Sequence, residues 1–213
     1  MCNLFENTVS FAELVEAFGQ YRAPILRPGP QAAPNWPPLN AVRPTDFTPV
    51  VRAFEDGAEV SRMRWGFAPE RPKAGPVTNF RAEGRRFGNG EDRGRCLVPA
   101  SAFFEFTGRA YPKTRWRFTE ASQPWLCLAG LWRRREAAEG PDTRFTLLTT
   151  APGPDMASYH DRQVVVLARE RWSDWLTGVG DETQMLQPGP AGHLAVTCDT
   201  PAKAPLPLFG DAP

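Results

Sequence analysis

The chain has 213 residues, 41% hydrophobic and 23% charged, with a formal net charge of +1, a profile that fits one globular domain able to bury a core without metal or disulfide. No apolar run reaches the roughly 18 residues of a membrane span. No basic segment followed by an apolar stretch opens the chain, so no secretory leader is expected and the expected compartment is the cytoplasm.

The first predicted element is a helix with apolar spacing at Phe11, Leu14, Val15 and Phe18, capped by Ser10 and closed by Gly19. The stretch from Pro24 to Pro38 is too rich in proline for regular helix or a central strand. Strands are expected at Pro49–Arg52 and Val60–Phe67, an extended segment at Val77–Arg81, and a polar segment at Arg85–Arg95. Further strands are expected at Cys96–Pro99, Ala102–Phe106, Thr114–Phe118, Trp125–Trp132, Phe145–Thr149, Val164–Leu167 and His193–Cys198, with a short helix around Arg171–Leu176. The triple Arg133-Arg134-Arg135 reads as a solvated turn. Many short strands and few helices predict an α+β fold, a single domain over residues 1–213 with a distorted antiparallel β-barrel core flanked by short helices. The Pro-rich tail from about 201 to 213 is expected to be loosely ordered.

Two histidines, His160 and His193, and four scattered cysteines with no CxxC pair argue against a metal site, and no cofactor is expected. Cys96, Cys127 and Cys198 read as reduced structural residues. Of the 25 basic residues only Lys73, Lys113 and Lys203 are lysines. Arginine presents a planar fork suited to phosphate, but an arginine-heavy chain also follows from a GC-rich genome, so local clusters must decide.

Cys2 directly follows Met1, and methionine is generally removed before a small residue. The new terminus would be a 1,2-aminothiol. Its unperturbed amine titrates at about 7.7–8.0 and its thiol at about 8.5, so both are partly nucleophilic near neutral pH. An aldehyde would form a Schiff base with the amine, and the thiol would close a five-membered thiazolidine; a chance cysteine at that position is the plain alternative. Glu105 sits within Phe103-Phe104-Glu105-Phe106. It is either a desolvated proton-transfer group or the outward residue of a half-buried strand. His160 lies at a loop-to-strand junction and suits either acid–base work or a structural hydrogen bond. Asn79 and Arg81 alternate on one face, as a hydrogen-bonding and phosphate-clamping pair or as a solvated edge. Trp65 is either a base-stacking platform or a core residue. Arg85 and Arg86 would touch a phosphate backbone.

In order, Met1-Cys2, Arg43-Pro44-Thr45, Trp65-Gly66-Phe67-Ala68-Pro69, Thr78-Asn79-Phe80-Arg81-Ala82-Glu83, Arg95-Cys96-Leu97-Val98-Pro99 with Phe104-Glu105, and His160-Asp161-Arg162 resemble the SOS-response-associated peptidase (SRAP) family. The resemblance spans residues 2 to about 176. It implies a positively charged groove on an α+β domain and covalent capture of abasic sites in single-stranded DNA. On that basis Cys2 supplies amine and thiol, Asn79 bonds the opened sugar or the terminus, and Glu105 and His160 move protons, including those of strand cleavage or reversal. Arg81 and Arg162 bind flanking phosphates, and Pro44 with Thr45 and Trp65 meet the neighbouring bases. The partner is single-stranded DNA with abasic sites, the protein acting as a monomer. Asn3-Leu4 stands where the family often has Gly-Arg, and Gln163-Val164 where it often has an apolar-Pro pair, which puts the N-terminal DNA contact and the His160 loop in question.

Two other readings stay open. One is a thiol hydrolase using Cys2, alone or with His160. The other is a non-catalytic single-stranded DNA binder indifferent to Cys2.

Overall fold

The computed structural model describes residues 2–21, 23–29, 35–71, 73–138 and 140–200; the Pro-rich tail lies outside them. In chain order the elements are β1 (Phe5–Asn7), α1 (Phe11–Gln20), β2 (Leu26–Pro28), β3 (Leu39–Val42), β4 (Phe47–Phe54), β5 (Gly57–Trp65) and β6 (Asn79–Arg81). Then come β7 (Arg93–Ala100), β8 (Ala102–Thr107), β9 (Thr114–Glu120), β10 (Leu126–Arg135), β11 (Asp142–Thr150) and β12 (Gln163–Val164). A 3₁₀ turn (Arg169–Arg171), α2 (Trp172–Thr177), α3 (Glu182–Met185) and β13 (Leu194–Cys198) complete the described chain.

The larger sheet bends until it meets itself. β11 pairs with β10, β10 with β7, β7 with β4, and β4 with β5, all antiparallel; β5 then returns to β11 in parallel through Arg144↔Arg64 and Phe145↔Trp65. Closure rests on that short parallel contact, so the expected barrel is a ring of strands and not a regular antiparallel barrel. A second sheet runs β13-β9-β8-β1-β3.

Period-two alternation sorts the apolar residues onto two faces. Val50, Met63, Trp65, Val98, Leu128, Phe145 and Leu147 pack into one buried cluster. Their neighbours Val51, Leu97, Ala129 and Leu148 pack into the other, with Leu14 and Phe18 of α1 and Trp172 and Trp175 of α2. Helix α1 begins where the sequence says it should: the Ser10 hydroxyl accepts from the Glu13 amide, and Glu13 reaches back to the Ser10 amide. It runs one residue past Gly19 before ending.

Two local expectations change and a third is met. Arg133-Arg134-Arg135 is the end of β10, paired with β11 as far as Arg135↔Asp142, and not a turn. The predicted strand at Val164–Leu167 shrinks to β12 plus an isolated bridge at Val166. Within the Pro-rich stretch, Leu26–Pro28 forms a short strand at the sheet edge, beside β5, the place where proline is tolerated.

Candidate active site

The short strand β1 carries the N-terminus onto β8. Phe5 pairs with Phe103, and the Phe104 amide donates to the Leu4 carbonyl at 3.1 Å. That register brings Cys2 beside Glu105, whose charge is felt at the thiol. From the other side, β6 lies along β11 through Leu147↔Asn79 and Thr149↔Arg81. Asn79 Nδ2 donates to the Cys2 carbonyl at 2.9 Å. Its Oδ1 is buried with no hydrogen-bond partner, an acceptor aimed at no group among the described residues.

His160 arrives by a different route. Trp116 pairs across β8–β9 with Glu105, and its indole packs edge-on against Tyr159 at 4.8 Å between centroids. Tyr159 also packs on Phe118, so the turn ending in His160 is seated on the strand next to Glu105. Gln163, buried, accepts from the Gly153 amide at 2.7 Å through its side chain. Thus the residue standing where an apolar-Pro pair is usual ties the His160 loop at its base.

Burial dominates the titration of this cluster. It pushes the Cys2 thiol up to about 12, with Glu105 adding to the rise. In the chain that retains Met1 the Cys2 group is therefore held as a thiol at neutral pH, donating to the Leu4 carbonyl. Burial also raises the Glu105 carboxyl to about 7, against the pull of the amino terminus, while nearby Asp161 adds to the rise. A carboxyl poised there is populated in both forms near neutral pH, which suits proton transfer. His160 is held below its usual value by burial first and then by the amino terminus. The outward, solvated alternative for Glu105 does not hold, since the residue is buried.

Arg162 is clamped. Both of its terminal nitrogens bond the Glu83 carboxylate, and Nη2 also donates to the Thr149 carbonyl at 2.9 Å. Arg81 is exposed one strand away, paired with that same Thr149. Arg85 and Arg86 are exposed as well; Arg85 lies over the Phe80 ring, and both line a cleft of about 670 Å³ with Glu83 and Thr150.

Trp65 corrects an expectation. It is fully buried, held between Phe5 and Phe145, with its indole N–H on the Thr78 carbonyl at 3.0 Å. No face is open to a base; it is a core residue. Pro44 and Thr45 stand at the surface on a tight turn tied to it: the Thr45 amide donates to the Trp65 carbonyl, and Thr45 takes a φ of 77°, a conformation uncommon for a β-branched residue. Sequence reasoning missed Trp116 and Tyr159. Both are aromatics in predicted strand or loop, but only the β8–β9 register reveals that they join Glu105 to His160.

Among the described residues no group of His, Cys, Asp or Glu is arranged to hold a metal ion. No helix is long and apolar enough to cross a membrane.

Comparison with known proteins fits this geometry. The chain is 28% identical over 200 residues to the abasic site processing protein YoqW of Bacillus subtilis (strain 168), covering 88% of this chain and 85% of that protein. It is 26% identical over 200 residues to the abasic site processing protein YobE of the same organism, covering 88% and 87%. A crystal structure of a Bordetella bronchiseptica protein superposes with a TM-score of 0.68 at 24% identity, over 93% of this chain and 100% of that one. One from Bacteroides thetaiotaomicron gives 0.71 at 16% identity, over 92% and 91%. The profile of the SOS response associated peptidase (SRAP) family matches residues 1–198, and the chain belongs to that family.

Proposed function

We propose that this protein captures abasic sites in single-stranded DNA through Cys2 once Met1 has been removed. The observation that carries the reading is the convergence on Cys2 of Asn79, bonded to its carbonyl, and Glu105, a buried carboxyl poised at about 7. The relatives named as abasic site processing proteins support it.

The ring-opened sugar of an abasic site carries an aldehyde. The Cys2 amine adds to that carbon to give a carbinolamine; protonated Glu105 gives its proton to the departing hydroxyl, and water leaves an imine. The thiol then adds to the imine carbon. Its proton passes to the nitrogen by way of the Glu105 carboxylate, and the thiazolidine closes with the net loss of one water. Asn79 Oδ1, an orphaned buried acceptor, suits an N–H of the new terminus or a sugar hydroxyl. His160 serves proton transfer at the sugar, in strand cleavage or reversal. Arg81, Arg85 and Arg86 meet flanking phosphates from exposed positions, and Pro44 and Thr45 face the neighbouring bases. Arg162 acts from within its Glu83 clamp.

The raised thiol pKa weighs against the thiol hydrolase, which needs a thiolate as the attacking group; the imine route only asks the thiol to yield its proton as it adds. The test mixes Met1-free protein with a single-stranded oligonucleotide bearing one abasic site. A denaturant-resistant adduct that Cys2→Ala abolishes is expected. No adduct from correctly processed protein would overturn the proposal, and salt-sensitive binding indifferent to Cys2 would favour a non-catalytic binder.

A further inference from the structure

The arginines at the end of β10 have a role that the site above leaves unused. Strand register aligns Arg93 with Arg133, Arg133 with Arg144, and Arg144 with Arg64. Residues directly opposite each other share a face, so four guanidinium groups stand in one row across β7, β10, β11 and β5. The next row inward is Gly94, Trp132, Phe145 and Trp65, which fills the ring. The arginine row is therefore on the outside of the ring, whereas Asn79 aligns with Leu147 of the interior cluster. The row is a surface separate from the Cys2 cluster.

Like charges directly opposite one another are destabilising, so a row of four arginines works against its own sheet. The structure braces it instead of neutralising it fully. Arg133 lies over Phe67 at 4.7 Å and Arg64 over Phe47 at 4.7 Å. Asp142 takes Arg144 at 2.6 Å. Two clefts meet at Arg133: one of about 330 Å³ lined by Arg86, Arg93 and Trp132 with no acid among the described residues that line it, the other beside Phe67, Arg135 and Arg144 with Asp142 as its acid. Arg64 Nε is buried without a hydrogen-bond partner.

We infer that this arginine row is a second nucleic-acid contact, taking the phosphodiester backbone of a DNA segment away from the reacting nucleotide. Three inter-strand gaps of about 4.8 Å make a row roughly 14 Å long, which covers about four base-pair steps of a duplex at ~3.4 Å of axial rise per step. Arginine forks bind phosphate bidentately, and the rings of Phe67 and Phe47 fix the planes of Arg133 and Arg64 in advance. The row has no base-reading group, so it adds affinity and orientation without sequence preference. The inference rests on DNA being the substrate.

The experiment uses Cys2→Ala protein, so that no adduct forms, with lesion-free single-stranded and duplex oligonucleotides, and follows affinity against salt. Arg93→Gln alters the exposed end of the row, Arg133→Gln its braced centre, and Arg135→Gln the exposed arginine that lines the adjoining cleft, with circular dichroism confirming the fold of each. Each variant should weaken binding several-fold at low salt and reduce the log–log salt slope by about 0.7 for single strands or about 0.9 for duplex. Arg27→Ser, which removes a charge paired with Glu55 and Asp56 on another surface, should leave the slope unchanged. A slope unmoved by the row variants overturns the inference, as does an equal drop with Arg27→Ser. Failure of unaltered protein to bind any DNA would instead overturn the proposed function.

Discussion

Nδ1 of His160 lies 2.8 Å from a carboxylate oxygen of Asp161. The same atom lies 2.9 Å from the Arg162 amide nitrogen, which donates to it. The two contacts need opposite protonation: the amide needs a bare Nδ1, the carboxylate a protonated one. The imidazole thus changes partner when it gains a proton, and Asp161 favours the charged form against the burial and terminal charge that hold His160 down. Asp161→Asn removes that support, so the His160 pKa should fall further. The acid limb of the pH–rate profile for strand cleavage or reversal should move to lower pH, with the histidine resonance shifting alongside. A limb that stays in place would show that His160 does not govern it.

Glu105 makes a prediction of stability as well as rate. Its folded pKa, raised by burial to about 7, stands above the ordinary 4.5. Between those values the folded state holds the proton that the unfolded chain gives up, so stability falls as pH rises through the window. Above it the buried carboxylate costs on the order of 3 kcal/mol. Glu105→Gln should therefore raise the melting temperature more at pH 8 than at pH 4.5, while slowing adduct formation about 10²–10⁴-fold. Equal shifts at the two pH values would contradict the raised pKa.

The strands of the ring were legible because Val50-Val51, Leu97-Val98 and Leu147-Leu148 lie in short apolar runs; that such runs are buried on both sides emerges only from the closed ring. Helix α1 was legible through its apolar spacing and its Ser10 cap. The candidate residues could be read by type, but not how they meet. That depends on register between strands distant in sequence, which joins β1 to β8 and β6 to β11. The same limit hid the arginine row, since Arg64, Arg93, Arg133 and Arg144 become neighbours only when the ring closes. Trp65 was ambiguous because a tryptophan before a glycine suits a surface platform as well as the more common core position; the inward parity of β5 decides it.

The Glu83–Arg162 clamp predicts an effect of opposite sign to that of Glu105. The hydrogen bond from Arg162 lowers the Glu83 carboxyl to about 2 from an ordinary 4.5. Its stabilisation is complete above pH 4.5 and is lost as pH falls through about 2. The Glu83 side chain is 47% exposed, so solvent screening limits the contribution to about 1 kcal/mol or less. Glu83→Gln should lower the melting temperature slightly at pH 7 and leave it nearly unchanged, relative to the unaltered chain, at pH 2. A larger loss at pH 2 would contradict the clamp.

Trp65 separates a packing role from a base-stacking role. Its ring fills the ring interior, and its N–H holds the Thr78 carbonyl one residue before Asn79. Trp65→Ala should cost about 3–5 kcal/mol through the cavity it leaves. Trp65→Phe keeps most of the volume but removes one of the two hydrogen bonds to the Thr78 carbonyl, which keeps the Leu147 amide at 3.0 Å, a loss of about 0.5–1.5 kcal/mol. Because that carbonyl anchors the approach to Asn79, the phenylalanine variant should form adduct more slowly while its affinity for lesion-free single strands is unchanged. Weaker binding of lesion-free DNA by the folded phenylalanine variant, with normal adduct kinetics at saturation, would instead mean that the indole reaches a base.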